Sequence, residues 1–201
     1  MLLKDLRVYP VKRTDIKNFI ETWHYSKSVN GLHSSYCFGL YHNDELIGAA
    51  IIGKLAMANQ WKRFAAEEND VMEIRRLCCI DNTPKNTESY FISNIIKWLK
   101  KHTSLKAIVS YADAEYNHVG IIYKASNFEY LGFKKGAKII LWKEKRYHDK
   151  AIRTKYKGEL KPFAQRLKDA LETGEAFYKE TLGKHSYIYR LKPDTKLALN
   201  G

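Results

Sequence analysis

Residues 71–91 read VMEIRRLCCIDNTPKNTESYF, and the way this stretch folds decides how the rest of the chain is arranged. Val71 to Ile80 is a β-rich run, and from Ser89 onward Phe91, Ile92, Ile95, Ile96, Trp98 and Leu99 fall mostly on one side of a helix. The residues between them include Pro84 and several capping types but no glycine, so the pattern predicts a strand, a turn and a helix. The first N–H groups of a helix have no internal partner and carry the positive end of its dipole, so such a turn suits phosphate. Lys97, Lys100, Lys101 and His102 place cations at the helix's far end, where the dipole favours them.

Working outward, Leu6 to Val11 reads as a strand. Thr14 is the expected N-cap of a helix carrying Ile16, Phe19, Ile20 and Trp23 and ending near His24-Tyr25-Ser26. Tyr36–Tyr41 and Leu46–Gly53 read as strands joined by the turn residues His42-Asn43-Asp44-Glu45. From Lys54 to Asn69 the pattern is ambiguous, with room for a short helix. Downstream, Ala107 to Ala112 is a strand ending at Asp113, and a helix over Val119–Ser126 stops at Asn127, a residue type that tolerates the left-handed conformation. Ala137–Trp142 and Ser186–Leu191 read as closing strands, with a basic segment and a helix over Pro162–Leu171 between them. That order describes an α/β chain, a mixed sheet covered by helices, whose ligands gather at the carboxyl ends of strands.

A chain of 201 residues, 45% hydrophobic, can bury one sizeable core, and one domain over 1–201 is expected. No run of about 20 apolar residues is present to span a bilayer, and the apolar stretch at the N-terminus is too short for a signal peptide. Three cysteines, two of them adjacent, make neither a disulfide framework nor a C-x-x-C pair, which fits a reducing compartment. The net charge of +13 attracts polyanions, and nucleic acid is the leading partner class. The segment 143–172 concentrates this charge as a basic, DNA-facing insertion before the last strand. Within it Lys145, Arg146, Arg153, Lys155, Lys157 and Lys161 are interleaved with Tyr147 and Tyr156, a mixture suited to a phosphate backbone flanked by stackable bases.

Two sets of residues carry a resemblance. Tyr123-Lys124-Ala125-Ser126-Asn127-Phe128-Glu129-Tyr130-Leu131-Gly132 resembles the Tyr-x-x-x-Gly-Phe-x-x-x-Gly motif of the GNAT acyltransferase superfamily, with Asn127 where glycine is usual. More narrowly, Trp23-His24-Tyr25-Ser26, Glu73-Ile74-Arg75-Arg76-Leu77, Thr83 to Ser89, Ser110-Tyr111-Ala112-Asp113, His118 to Phe128 and Lys184 to Tyr189 resemble, in order and spacing, the Mom family of phage DNA adenine modification proteins. That likeness runs over nearly the whole chain. It implies a GNAT-like α/β (α+β) fold, with a mixed, mostly antiparallel central sheet flanked by helices. It also implies acetyl-CoA as donor and conversion of adenine N6 in double-stranded DNA to a methylcarbamoyl-type adduct that shields phage DNA from restriction. The implied setting is the cytoplasm of the infected bacterial host. The alternative is a GNAT N-acetyltransferase acting on a protein or small-molecule amine.

The chemistry assigns provisional roles. An exocyclic adenine amine is a poor nucleophile because its lone pair is delocalised into the ring. Asp113, at the end of its strand, is the first choice for a general base or an acceptor that orients the amine; a loop cap is the plain alternative. Tyr123 sits where the resemblance puts a tyrosine that protonates the departing thiolate; otherwise it is a core aromatic. His24 and Tyr25 are expected to line the pocket of a flipped base, with Trp23, Tyr36, Tyr41 and Tyr116 as further stacking candidates. Ser89 either donates to a ligand or caps the helix.

Arg75 and Arg76 are adjacent on an apolar strand, so one faces inward and requires a carboxylate or a phosphate; Glu73 is the ready carboxylate for Arg75. With Lys85, Asn86 and Thr87 of the turn they form the expected cofactor-binding set. The resemblance raises an iron ion, for which His24, His118 and Asp113 offer a two-histidine, one-carboxylate set, but no local spacing demands it and the metal is left unassigned.

Overall fold

In the computed structural model the strand, turn and helix expected over 71–91 all form, and they sit in the following order. β1 is Arg7–Pro10, α1 Arg13–Trp23, β2 Tyr36–His42, β3 Glu45–Gly53, β4 Val71–Cys79, α2 Thr87–His102, β5 Ala107–Asp113 and α3 Ile121–Ala125. Then come β6 Glu129–Lys135, β7 Lys138–Trp142, β8 Lys145–His148, β9 Lys155–Tyr156, β10 Glu159–Leu160, α4 Pro162–Glu172, β11 Ala176–Glu180 and β12 Gly183–Arg190. The structure describes residues 1–192, and positions 193–201 of the expected 1–201 domain lie outside them. Two compact units emerge: Met1–Ala112, Gly120–Gly132 and the chain from Ser186 form one, and Asp113–Val119 with Phe133–His185 the other.

The first unit holds the seven-stranded sheet, in the order β1-β2-β3-β4-β5-β12-β6, with β12 contributing from Ser186 and β6 up to Gly132. Pairing is antiparallel from β1 through β4, and β4 runs parallel to β5, the mixed, mostly antiparallel sheet that was expected. Period-two alternation divides β3 between two cores. Ala50 and Ile52 join Phe91, Ile92, Ile95 and Leu99 of α2, while Ala49 and Ile51 join Ile16 and Ile20 of α1 on the opposite face. Cys78 and Cys79 part in the same way, one to each core, and burial pushes the Cys78 thiol up to about 12. The ambiguous stretch Lys54–Asn69 forms two short 3₁₀ turns, Gln60–Arg63 and Glu68–Asp70, the second running one residue past it, and sends Phe64 and Ala65 against Val71, Ala107 and Val109.

Local chemistry explains where the elements differ from expectation. The β2–β3 turn forms with Asn43 at φ 48° and Asp44 at φ 65°, the left-handed pair that a two-residue hairpin demands. Helix α1 starts earlier than expected, because Asp15 accepts the Lys12 N–H at 3.0 Å while Thr14 gives its hydroxyl to Asp15. Lys12, not Thr14, is its N-cap. Helix α3 is a short Ile121–Ala125 rather than Val119–Ser126, since Gly120 adopts φ 72° in front of it; Asn127, at φ 61°, ends it in the left-handed conformation as expected. Strands β6, β8 and β11 were not anticipated. They are largely exposed, and their mixed charged and aromatic residues hide the alternation of a half-buried strand.

In the second unit β11, β7 and β8 form an antiparallel sheet, and α4 covers one face through Ile140, Leu167, Ala170 and Ala176. The two-residue strands β9 and β10 pair as a small hairpin.

Candidate active site

The central opening of the first unit begins at an irregularity in β4. Ile52 pairs with Ile74 but Ile51 pairs with Arg76, so Arg75 is an extra residue bulged out of register. The parallel pairing of β4 with β5 also stops here, at Glu73 opposite Val109, although β4 continues to Cys79 and β5 to Asp113. Past that point the two strands have no ladder between them, and a gap opens at their carboxyl ends.

The bulge corrects the expectation that the two arginines face opposite ways. Both turn away from α2: Arg75 donates to Glu73 Oε2 at 3.3 Å and to the Lys54 carbonyl at 3.3 Å. Arg76 donates from Nε to the Ser28 carbonyl at 3.0 Å and also to the Arg75 carbonyl at 2.7 Å. Glu73 further accepts the Ala56 N–H at 3.1 Å. The carboxylate partner suggested for Arg75 is therefore present, and burial lowers the Arg76 pKa. Arg75 Nε is buried without a hydrogen-bond partner.

Tyr123 is buried against Phe128 and Tyr187, with ring centroids 5.5 and 5.4 Å away. Gly120 makes this packing possible, since a Cβ there would meet the Tyr187 ring at 2.3 Å. Burial pushes the Tyr123 phenol up to about 12; the nearby Ser110 hydroxyl opposes the shift, and Tyr25, Glu73 and Tyr187 add to it. Ser110 belongs to the α2 side of the sheet, as Ile108 and Ala112 do, whereas Glu73 lies on the other. Ser110 Oγ is itself fully buried and makes no hydrogen bond of normal geometry.

The turn ahead of α2 is closed by its own side chains. Asn86 takes φ 70°, Thr87 donates its hydroxyl to the Pro84 carbonyl at 2.7 Å, and Ser89 donates to the Asn86 carbonyl at 3.0 Å. Thr87 is fully buried, so its side chain shapes the turn and leaves ligand contact to backbone. The first helical bond runs from the Tyr90 N–H to the Asn86 carbonyl, so the Glu88 and Ser89 N–H groups precede the ladder, beside the exposed Lys85 and Asn86. An asparagine in the left-handed region does here what a glycine does in a glycine-rich phosphate turn.

At the end of α1, His24 is buried and its Nδ1 accepts the Ser26 N–H at 3.0 Å, so the neutral ring carries its proton on Nε2. The exposed Tyr25 ring lies over it, with centroids 4.2 Å apart and the planes tilted by 32°. Of the other stacking candidates, Trp23 is 46% exposed, whereas Tyr36 packs against Trp98 at 5.7 Å and Tyr41 against Tyr9 at 5.9 Å.

The remaining candidates belong to the second unit. Asp113 is buried, accepts the Glu115 N–H at 3.1 Å and pairs with Lys184 Nζ at 3.0 Å. It is thus the loop cap of the plainer expectation and an ion-pair partner too. Tyr116 is exposed and lies 6.2 Å from the His118 ring. Lys145, Arg146, Arg153, Lys155, Lys157 and Lys161 are all exposed, on β8, the following turn, the β9–β10 hairpin and the start of α4. Arg153 pairs with Asp149 at 2.6 Å, and Lys157 Nζ lies 5.7 Å from the Tyr156 ring. Among the described residues no three His, Cys, Asp or Glu side chains gather as metal ligands, so the set named for iron is not assembled.

Gln60 was not singled out from sequence, and Ser110 and Tyr111 entered only within the block Ser110-Tyr111-Ala112-Asp113, with no role of their own. Gln60 lies in the stretch that showed no clear pattern, and a Ser-Tyr pair on a strand carries no chemical signature of its own.

Comparison with known proteins agrees with this geometry. The sequence profile of the Mom protein family matches residues 5–200. The methylcarbamoylase Mom of Escherichia phage Mu is 30% identical over 133 residues, covering 64% of this chain and 54% of that protein, so the match spans about half the length of that curated relative. A Bacillus subtilis acetyltransferase in complex with CoA superposes with TM-score 0.54 at 13% identity, over 93% of this chain and 99% of that one. The Escherichia coli ribosomal-protein-S18-alanine N-acetyltransferase gives 0.54 at 8% identity, over 95% and 97%. Arabidopsis thaliana NAA60 in complex with acetyl-CoA gives 0.52 at 12% identity, over 92% and 98%. At these identities the structures establish the GNAT acetyltransferase fold.

Proposed function

This chain belongs to the Mom protein family, and from that premise we propose that it is a phage DNA modification enzyme of acyltransferase type, acting on adenine N6 in double-stranded DNA with acetyl-CoA as donor. The observation that carries this reading is the gap beyond Glu73 and Val109, where a bulged strand leaves its parallel partner and buried polar groups collect. A thioester arm fits such a gap because strands without a ladder offer free backbone groups to it. The β4–α2 turn, with two N–H groups ahead of the helical ladder and Lys85 beside them, is suited to the donor's phosphates. The bound CoA and acetyl-CoA of the structural neighbours support the same donor.

In this reading Tyr123 faces the departing thiolate. A phenol pushed up to about 12 keeps its proton through neutral pH and so is present as a donor when the thiolate departs. His24, with Nε2–H as donor, and Tyr25, as a stacking ring, hold the extruded base. Asp113 orients or deprotonates the amine; Lys184 and the Glu115 N–H use only part of a carboxylate's acceptor capacity. The exposed cations of 143–172 engage the DNA backbone. A methylcarbamoyl group contains a nitrogen that acetyl lacks, so acetyl transfer is not the complete reaction.

The test is to express the protein with plasmid DNA, digest the DNA to nucleosides and weigh the deoxyadenosine by mass spectrometry. A methylcarbamoyl adduct is expected, one NH heavier than an acetyl adduct. Unmodified deoxyadenosine from cells containing folded protein overturns the reading, and acetylation of a protein or small-molecule amine with the DNA left unchanged supports the alternative acetyltransferase.

A further inference from the structure

The segment 54–70 joins two antiparallel neighbours, β3 and β4, which a two-residue turn is enough to connect. Here 17 residues make the connection, and their polar groups run back to the sheet. Gln60 lies in the first 3₁₀ turn, is 9% exposed, and donates from Nε2 to the Tyr111 hydroxyl at 2.6 Å. The other end of its carboxamide, Oε1, is buried with no hydrogen-bond partner. A buried acceptor left unpaired loses its hydration without replacement, so an orphan in a native site calls for a ligand.

The surroundings of Gln60 indicate what that ligand is. Tyr111 belongs to the face of β5 that carries Ala107 and Val109, opposite α2. Glu73 and Arg75 lie on the same face of β4, with Arg75 Nε also unpartnered. The anion-suited turn is the approach to α2, so the donor's phosphates and the Gln60 carboxamide belong to opposite faces of the sheet, joined through the β4–β5 gap. The group entering from the Gln60 face is then the acceptor. Tyr111 holds the amide by its nitrogen, which leaves an oxygen that accepts a hydrogen bond and selects a ligand N–H. Burial raises the Tyr111 phenol, so it stays neutral beside Glu73.

Resting on the function proposed above, we infer that Gln60 is a positioning and specificity-determining residue: its Oε1 accepts one N–H of the exocyclic amine of the extruded adenine. That bond orients the amine toward the gap and leaves its second N–H to be lost in the reaction. Gln60 therefore selects a base with an amine at position 6 and rejects one with a carbonyl, because a carbonyl would set two acceptors against each other.

The experiment uses the full chain and short duplexes carrying one adenine, or one hypoxanthine, opposite an abasic position that favours extrusion. Affinities are measured by fluorescence anisotropy in the presence of CoA. The wild type is expected to bind the adenine duplex about tenfold more tightly, the effect of one buried hydrogen bond. Gln60→Ala is expected to bind both duplexes alike, with CoA affinity unchanged, and Gln60→Glu, which again presents an oxygen, to restore the preference. Equal affinities in the wild type, a preference for hypoxanthine, or a preference that survives in Gln60→Ala each overturns the inference. If Gln60→Ala does not fold, Tyr111→Phe frees the amide to rotate and is expected to erase the same preference; a full preference in that variant also overturns the inference. Nucleoside mass spectrometry on wild-type DNA separates the two failures, since an adenine adduct without base discrimination removes Gln60 alone, and absence of the adduct removes the enzyme reading.

Discussion

The two units handle polar groups in opposite ways. In the first, the groups that matter are few and buried: Arg75 is held by Glu73 and the Lys54 carbonyl, Arg76 by Ser28, and Tyr123 is sealed among aromatic rings. In the second, cations are many and exposed, with 15 Lys and Arg against 9 Asp and Glu in 60 residues. A buried charge must be matched group by group, because desolvation costs more than any one contact returns. An exposed charge is weakened by salt and interchangeable with its neighbours. Single substitutions should therefore act strongly in the first unit and weakly in the second, where effects accumulate only in combination.

The largest expected effect is Glu73→Ala, which leaves the mostly buried Arg75 guanidinium without its carboxylate and should cost about 3–5 kcal/mol in urea unfolding. A loss below about 1 kcal/mol would break the contrast between the units. Next is Tyr123→Phe, which keeps the ring packing and should lower the rate of adduct formation about 100-fold with CoA affinity unchanged. The same variant has an alkaline signature. The unfolded phenol ionises near 10 and the folded one at about 12, so the native state holds the extra proton between those values and stability falls as pH rises through that window. Denaturant titrations from pH 9 to 12 should show a shallower decline in Tyr123→Phe, and an identical decline would mean that the phenol is not buried.

Replacing Lys155, Lys157 and Lys161 together with Ala should weaken duplex binding about tenfold at low salt and make the log–log salt dependence shallower by about 2–3. Each single replacement should be near the limit of detection, and one that abolished binding alone would mark a built site in the second unit. The smallest effect separates two neighbours at the start of α1. Asp15→Ala should cost about 1 kcal/mol and Thr14→Ala less than about 0.5 kcal/mol in thermal unfolding, because Asp15 takes the Lys12 N–H.

Much of the fold is legible in residues 71–91 and their neighbours, since an apolar run and a helical stripe each announce a period. The hairpin at Asn43-Asp44 and the helix stop at Asn127 are legible too, because few residues accept a left-handed backbone. In the second unit Ala137–Trp142 is legible, but β8 and β11 are not, for short exposed strands bury too little to leave a pattern. The site divides similarly: Tyr123 and the Thr83–Ser89 turn stand out through a family pattern, while Gln60 lies in a stretch without any.

The amino-acid order by itself determined the alternation of strands and helices, the position of the anion-suited turn and the excess of positive charge, all set by residues a few positions apart. The tertiary structure decided the rest. Strand alternation sends Arg75 and Arg76 to opposite faces, and only the pairing of β4 with β3 shows the bulge that turns both the same way. Only the fold brings Gln60 to Tyr111, 51 positions away. The physical reason is range: backbone geometry and propensity act within a turn or two, whereas register, burial and the matching of buried polar atoms depend on chain segments that meet after folding.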